Sequence, residues 1–211
     1  MPNRNIFFDL DGTLIDVKTR LYKLFAELAP QNQLSLDEYW EIKRGRIDQV
    51  NLLRNYLRYS EEQIAAFKSL WLSKIEEKDR LAQDVPFLKS GMLLKDLSID
   101  NYLYIVTNRQ NRRLAIEQIN GYGWAGYVKE VLVTEQTTSK FSLIKERVKT
   151  NKEDALVGDT GEDVLTGKKL GVKTIAVASG FLSKKILLEY NPDLIVNSIE
   201  DIYIDNAVLL R

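Results

Sequence analysis

The chain reads as an α/β protein, a doubly wound parallel sheet with a smaller all-helical domain inserted into it. Three observations predict this. Short apolar runs that end in polar residues alternate with stretches of helical periodicity, the pattern of parallel strands joined by crossover helices. Residues 16–84 carry helix signals alone. Within that stretch stand two capping-box patterns, Ser35 with Glu38 and Ser60 with Gln63, each ahead of apolar residues at helical spacing. The expected division is a core domain of residues 1–15 and 85–211 and a helical domain of residues 16–84.

Taken in order, the elements begin with the apolar run Phe7-Phe8, which breaks into Asp9-Leu10-Asp11-Gly12-Thr13 and reads as a buried strand delivering two acids to its tip. Leu21, Leu24, Phe25 and Leu28 then recur at helical spacing up to Pro30. Ser35 opens the next helix, and Asp48 can cap a third that carries Val50, Leu53 and Leu57. Ser60 opens a fourth with Ile64, Phe67, Trp71 and Ile75. Pro86 marks the return to the core, where Met92, Leu93, Leu94 and Leu97 predict a short core helix.

Tyr102 to Thr107 is a β-rich run ending in Thr107-Asn108, and Leu114, Ala115 and Ile119 form the apolar face of the helix that follows. Val128 to Val133 predicts a strand, and Ser139 starts a helix at Lys140 with Phe141, Ile144 and Val148. Ala155 to Gly158 is a strand with Asp159 at its end. Gly161 to Leu170 is a helix stopped by Gly171, and Val172 to Ala178 a further strand. Leu194 to Val196 predicts a small edge element, with a closing turn towards Ile202.

Composition limits the chemistry. Lys plus Arg and Asp plus Glu both number 30, so no net field points to nucleic acid or an anionic membrane. With no cysteine and no histidine, thiol nucleophiles, serine–histidine triads and zinc sites built on either residue are excluded. Acid–base work falls to carboxylates, Lys or Tyr, and a catalytic metal would be a hard, oxygen-liking ion. The apolar runs are too short to span a bilayer, and Met1-Pro2-Asn3-Arg4 leads into a strand without a signal-type cleavage site. The expectation is a soluble, cytoplasmic protein.

The polar strand ends carry the functional signal. In a parallel sheet the C-terminal strand ends share one edge, so Asp9 and Asp11, Thr107 and Asn108, Lys140 at a helix start, and Asp159 with Asp163 can converge there. These positions resemble, one by one, the four motifs of the haloacid dehalogenase-like superfamily: Asp-x-Asp-Gly-Thr, a Ser or Thr closing the second strand, a Lys, and Gly-Asp-x-x-x-Asp. The likeness covers essentially the whole chain, and Ser179-Gly180 and Pro192-Asp193 are similar to the phosphoglycolate phosphatase-like branch. One departure stands out, because Phe141 follows Lys140 where the family often has Pro, and Lys145 competes for the same role.

The resemblance implies a phosphatase acting on a small phosphorylated metabolite through an aspartyl-phosphate. Asp9 would be the nucleophile, and Asp11 would give a proton to the leaving group and then activate water. Mg²⁺ would be bound by Asp9, the backbone carbonyl of Asp11 and Asp159, with Asp163 holding a bound water or orienting Lys140. Lys140 would add positive charge, Thr107 would donate to a phosphoryl oxygen, and backbone N–H groups of Asp11, Gly12 and Asn108 would be further donors. The helical domain would be a cap that chooses the substrate. In it, Lys43-Arg44-Gly45-Arg46 breaks a helix, and Arg44 or Arg46 could read an anionic substrate group.

Two alternatives stand beside the phosphatase. A β-phosphoglucomutase-like phosphomutase shares both aspartates and a helical cap, although the lack of histidine removes a cap residue that such mutases resemble one another in using. A non-catalytic phosphate-binding regulator is the other.

Overall fold

The computed structural model describes residues 4–204. In chain order the elements are β1 (Arg4–Phe8), β2 (Ile15–Asp16), α1 (Lys18–Leu28), α2 (Leu36–Arg44), the short α3 (Gln49–Asn51), a π-helical turn (Leu52–Tyr56), α4 (Glu61–Lys74) and α5 (Lys78–Leu81). They continue with β3 (Val85–Pro86), α6 (Ser90–Leu97), β4 (Asn101–Thr107), α7 (Arg112–Gly121), β5 (Glu130–Val133) and α8 (Lys140–Arg147). Last come β6 (Ala155–Gly158), α9 (Gly161–Leu170), β7 (Lys173–Val177), α10 (Lys184–Leu188), β8 (Leu194–Val196) and α11 (Ile199–Ile204). The chain separates into an α/β unit, reaching Asp16 and resuming at Pro86, and a helical unit of Val17–Val85.

The α/β unit is built on a six-stranded sheet in the order β5-β4-β1-β6-β7-β8. All of its strand pairs are parallel. β1 lies between β4 and β6, aligned Phe8 to Ile105 on one side and Phe8 to Val157 on the other. The order reverses at β1, since the chain proceeds outward through β4 and β5 and then crosses back to β6. A crevice at the C-terminal ends of these central strands follows from that reversal.

Because both faces of a doubly wound sheet are covered, its strands are continuous apolar runs. One layer of the core is Phe7, Tyr104, Val106, Leu132, Ile144, Leu156 and Val172, with Phe7 and Tyr104 stacked at 5.1 Å between ring centroids. Burying such aromatics contributes about 2–3 kcal/mol each. At the other end of the strands, buried Asp154 ties neighbouring segments together. Its carboxylate accepts from the backbone N–H of Asn5 at 2.8 Å and of Asn151 at 2.9 Å. Asp193 has a similar mechanical role, accepting from Thr174 N–H and Oγ1, both at 2.7 Å, where β7 meets β8.

The helical unit uses the capping signals read from its sequence. Ser35 and Ser60 each accept from the backbone N–H three residues on, and Glu38 and Gln63 reciprocate. Phe25 stacks on Tyr39 at 4.7 Å, and Phe67 on Trp71 at 5.6 Å. Arg20 and Asp84 form a buried ion pair at 2.7 Å, with Arg20 Nη1 also donating to the Ile75 carbonyl.

Several expectations are corrected. The helix capped by Asp48 is α-helical for only three residues before widening into a π turn; of the expected Val50, Leu53 and Leu57 it buries Leu53, joined by Leu52, while Val50 and Leu57 are only half-buried. Met92 lies on the outer face of α6, 53% exposed, while Leu93, Leu94 and Leu97 enter the core. β5 starts at Glu130, because a turn donates Tyr127 N–H back to the Trp124 carbonyl just before it. The tail forms a helix, α10, that the sequence reading did not include, and its Leu187 packs beside Val164 and Ala176.

Candidate active site

Strand geometry brings the polar tips together. Asp9 follows β1 directly and donates its N–H to the Val157 carbonyl of β6 at 2.9 Å. Asp159 follows β6, and Thr107 is the last residue of β4. Lys140 opens α8, where Ser139 accepts from Ser142 N–H as N-cap. Asp163 sits in the first turn of α9 as the partner of Thr160 in a capping box, and both strand-to-helix connections thus aim their charged residues at the same edge.

The Lys140 ammonium bridges two acids. Its Nζ donates to Asp9 Oδ1 at 2.5 Å and to Asp163 Oδ1 at 2.6 Å. Asp159 completes the cluster, with carboxylate oxygens of Asp9, Asp159 and Asp163 all within 4.8 Å of one another. All four side chains are buried. Thr13, also buried, donates its hydroxyl to Asp159 Oδ1 at 3.1 Å, with Asp9 Oδ2 at 3.4 Å.

The electrostatics are those of too many acids for the cations at hand. Burial pushes Asp9 up to about 7, with Lys140 pulling against it and Asp163 adding to the rise. Burial, then repulsion from Asp9 and Asp163, raises Asp159 well above the usual carboxylate range, while the Phe181 N–H pulls the other way. Burial works against the Lys140 ammonium, but attraction to Asp163 and Asp9 outweighs it and holds its pKa above the ordinary lysine value. Three carboxylates and one ammonium leave two negative charges. That is the charge one divalent cation balances, and an all-oxygen donor set suits a hard ion such as Mg²⁺.

A glycine-lined loop holds Asp159. Phe181 N–H donates to Asp159 Oδ2 at 2.6 Å, and a Cβ on Gly180 would overlap that same oxygen. Gly12 has φ +87°, and a Cβ there would lie 2.5 Å from Asp159 Oδ2. Ser179 Oγ donates to the Gly12 carbonyl at 3.1 Å, joining this loop to the turn after β1. The Gly12 N–H, expected to face a phosphate, donates to the Ile15 carbonyl at 2.8 Å, because the turn closes on itself there.

The remaining candidates are placed as follows. The Asp11 carboxylate is apart from the three-acid cluster and is gripped at both oxygens by Arg109, at 2.7 and 2.8 Å. Asn108 is exposed, with its amide donating to Glu162 Oε2 at 2.8 Å and its oxygen accepting from Thr134 Oγ1 at 3.1 Å. Thr107 is buried beside the cluster's strand, and its carbonyl accepts from Thr134 N–H. Arg44 and Arg46 belong to the helical unit, at the end of α2, where Arg44 pairs with Glu41 at 3.9 Å and Arg46 has φ +68°.

Sequence reading missed Arg109, Thr13 and Phe181 as site residues, and named Gly180 only for the Ser179-Gly180 likeness, not as a neighbour of Asp159. Arg109 directly follows Thr107-Asn108, so a cation beside a predicted strand tip was the available signal. Thr13 was in view within the Gly-Thr turn. No pattern in the sequence marks Gly180 or Phe181 as neighbours of Asp159.

Comparison with known proteins bears on the family and the fold. The family model described as haloacid dehalogenase-like hydrolase matches residues 6–177. The chain is 23% identical to pyrophosphatase PpaX of Oceanobacillus iheyensis over 212 residues, covering 96% of each protein. Among solved structures, a haloacid dehalogenase-like family hydrolase from Streptococcus pneumoniae superposes with a TM-score of 0.78 at 22% identity, covering 97% of this chain and 98% of that one. A structure described as a predicted phosphoglycolate phosphatase from Haemophilus somnus gives 0.75 at 17% identity, covering 97% and 98%.

Proposed function

Because the chain belongs to the haloacid dehalogenase-like hydrolase family, we propose that it is a phosphatase that cleaves a small phosphorylated metabolite through an aspartyl-phosphate on Asp9. The buried Asp9–Lys140–Asp163 bridge with Asp159 alongside, at the reversal point of the sheet, carries this reading. A solvated surface cluster would not need burial, and a structural ion pair would not need three acids around one amine.

In the proposed reaction an Asp9 oxygen attacks phosphorus in line, forming the acyl phosphate as the bond to the leaving oxygen breaks. Asp11, protonated at the start of the cycle, gives that oxygen its proton. The resulting Asp11 carboxylate then takes a proton from water as the water attacks phosphorus, releasing phosphate and restoring Asp9. Lys140 holds Asp9 in place through the 2.5 Å contact and neutralises part of the incoming phosphoryl charge. The Thr107 hydroxyl and backbone N–H groups of Asp11 and Asn108 are assigned to phosphoryl oxygens.

Asp9, Asp159 and the Asp11 carbonyl, with Asp163 beside them, would hold Mg²⁺, which would supply the positive charge that lets a carboxylate approach a phosphate dianion. We assign the chemistry to the α/β unit and the choice of substrate to the helical unit, where Arg44 and Arg46 flank Gly45 at a helix end.

The test is hydrolysis of a panel of phosphorylated metabolites with Mg²⁺ and with a chelator. Inorganic pyrophosphate belongs in the panel because of the PpaX relatives. Metal-dependent release of phosphate from one or a few members is expected, and its absence across the panel would remove the proposal. Transfer of the phosphoryl group to a sugar phosphate in place of water would point to a mutase.

A further inference from the structure

Lys140 and Arg109 are the buried cations among the described residues of the α/β unit, and the chemistry above uses only Lys140. Arg109 lies just beyond the tip of β4. Its Nε donates to Asp11 Oδ2 at 2.8 Å and its Nη2 to Asp11 Oδ1 at 2.7 Å, a two-point grip on both carboxylate oxygens. The third face of the guanidinium is held as well. Nη1 donates to Gln118 Oε1 on α7 at 2.5 Å, and Gln118 Nε2 donates to the Tyr122 hydroxyl at 2.9 Å. Tyr122 in turn packs on buried Trp124, 4.9 Å between ring centroids.

Asp11 occupies a turn, and its side chain is 18% exposed, against 4% for Arg109. A short acid at a turn would sample several rotamers, and proton transfer requires hydrogen-bond reach to the leaving oxygen. We infer that Arg109 is a positioning residue that fixes the plane and reach of the Asp11 carboxylate, and that Gln118 on α7 fixes Arg109. A single hydrogen bond would leave the carboxylate free to rotate. A fork does not, and a lysine in its place would supply charge without the two-point grip. The inference rests on the reading of Asp11 as proton carrier in the proposed phosphatase reaction.

Leaving-group dependence separates positioning from mere structural support. p-Nitrophenolate leaves without help from an acid, whereas an alkoxide needs the proton. For Arg109→Ala, the first-turnover rate of leaving-group release, which precedes the hydrolysis step that both substrates share, should fall about 100-fold on an alkyl phosphate that the wild type turns over and less than about fivefold on p-nitrophenyl phosphate, with KM unchanged on both. Arg109→Lys should recover only part of the loss. In an Asp11→Asn background, Arg109→Ala should add nothing further, because its effect passes through Asp11.

Equal losses on both substrates, a change confined to KM, or an additive loss in the Asp11→Asn background would overturn the inference. Should Arg109→Ala not fold, Gln118→Leu carries the test, with the same selective loss expected at smaller size and an unselective or absent effect counting against it. Wild-type protein inactive on every phosphate ester would remove the phosphatase reading and this inference together. Wild-type activity with an indifferent Arg109→Ala variant would remove the inference alone.

Discussion

Asp9 touches Lys140 at 2.5 Å inside a cluster in which acids outnumber cations. Asp9→Asn keeps the shape and removes one of three crowded charges, so turnover should fall at least about a thousandfold while the melting temperature stays the same or rises. Activity near wild type with metal present would contradict the assignment of the nucleophile. Lys140→Met does the opposite, stranding Asp9 and Asp163 without their shared ammonium. It should cost about 3 kcal/mol of stability in the metal-free protein, read by chemical denaturation, and an unchanged midpoint would show that the ammonium does not hold the cluster together. At this scale the acids were legible, because an apolar run ending in paired carboxylates demands a reason for them. Arg109 was not, since its meaning depends on where the tip of β4 lies relative to the turn after β1.

The Ser179–Phe181 loop and the turn at Gly12 act as walls for Asp159. A methyl group on Gly180 cannot coexist with the observed Asp159 carboxylate, so Gly180→Ala must move the loop or the acid. A displacement of that size costs about 100-fold in activity, and the variant should fold normally by circular dichroism. Activity within a few-fold of wild type would show that the loop does not set the position of Asp159. Among the elements, capping boxes at Ser35 and Ser60 and the helix from Gly161 to Leu170 were legible, because local hydrogen-bond chemistry decides them. The π turn at Leu52–Tyr56 and the outward Met92 were not, because tertiary packing decides which apolar residues enter the core. The Gly180 contact was equally hidden, since 21 positions of chain separate it from Asp159.

For the whole molecule, charge balance links metal, protons and stability. Asp9 is raised from 3.8 to about 7 in the folded protein. Its contribution to the stability of the metal-free protein is therefore full below about 3.8 and is lost as pH rises through about 7. A bound cation needs Asp9 and Asp159 ionised, so protons compete with it and its stabilising effect grows in the opposite direction. The rise in melting temperature on adding Mg²⁺ should be larger at about pH 8 than at about pH 5.5, and an equal or larger rise at the lower pH would argue against these acids as ligands. Among the described residues no helix is long and apolar enough to cross a membrane, in keeping with the polar, balanced composition. The parallel order of the sheet was legible from the alternation of strands and helices, and it is this order that makes distant tips neighbours.

The most direct test of the whole account is to quench the reaction in acid during turnover of a ³²P-labelled substrate and locate the covalent label. The account predicts an acyl phosphate, released by hydroxylamine, on the peptide that carries Asp9, and no label in Asp9→Asn. Label on a different peptide, or turnover persisting in Asp9→Asn, would contradict it.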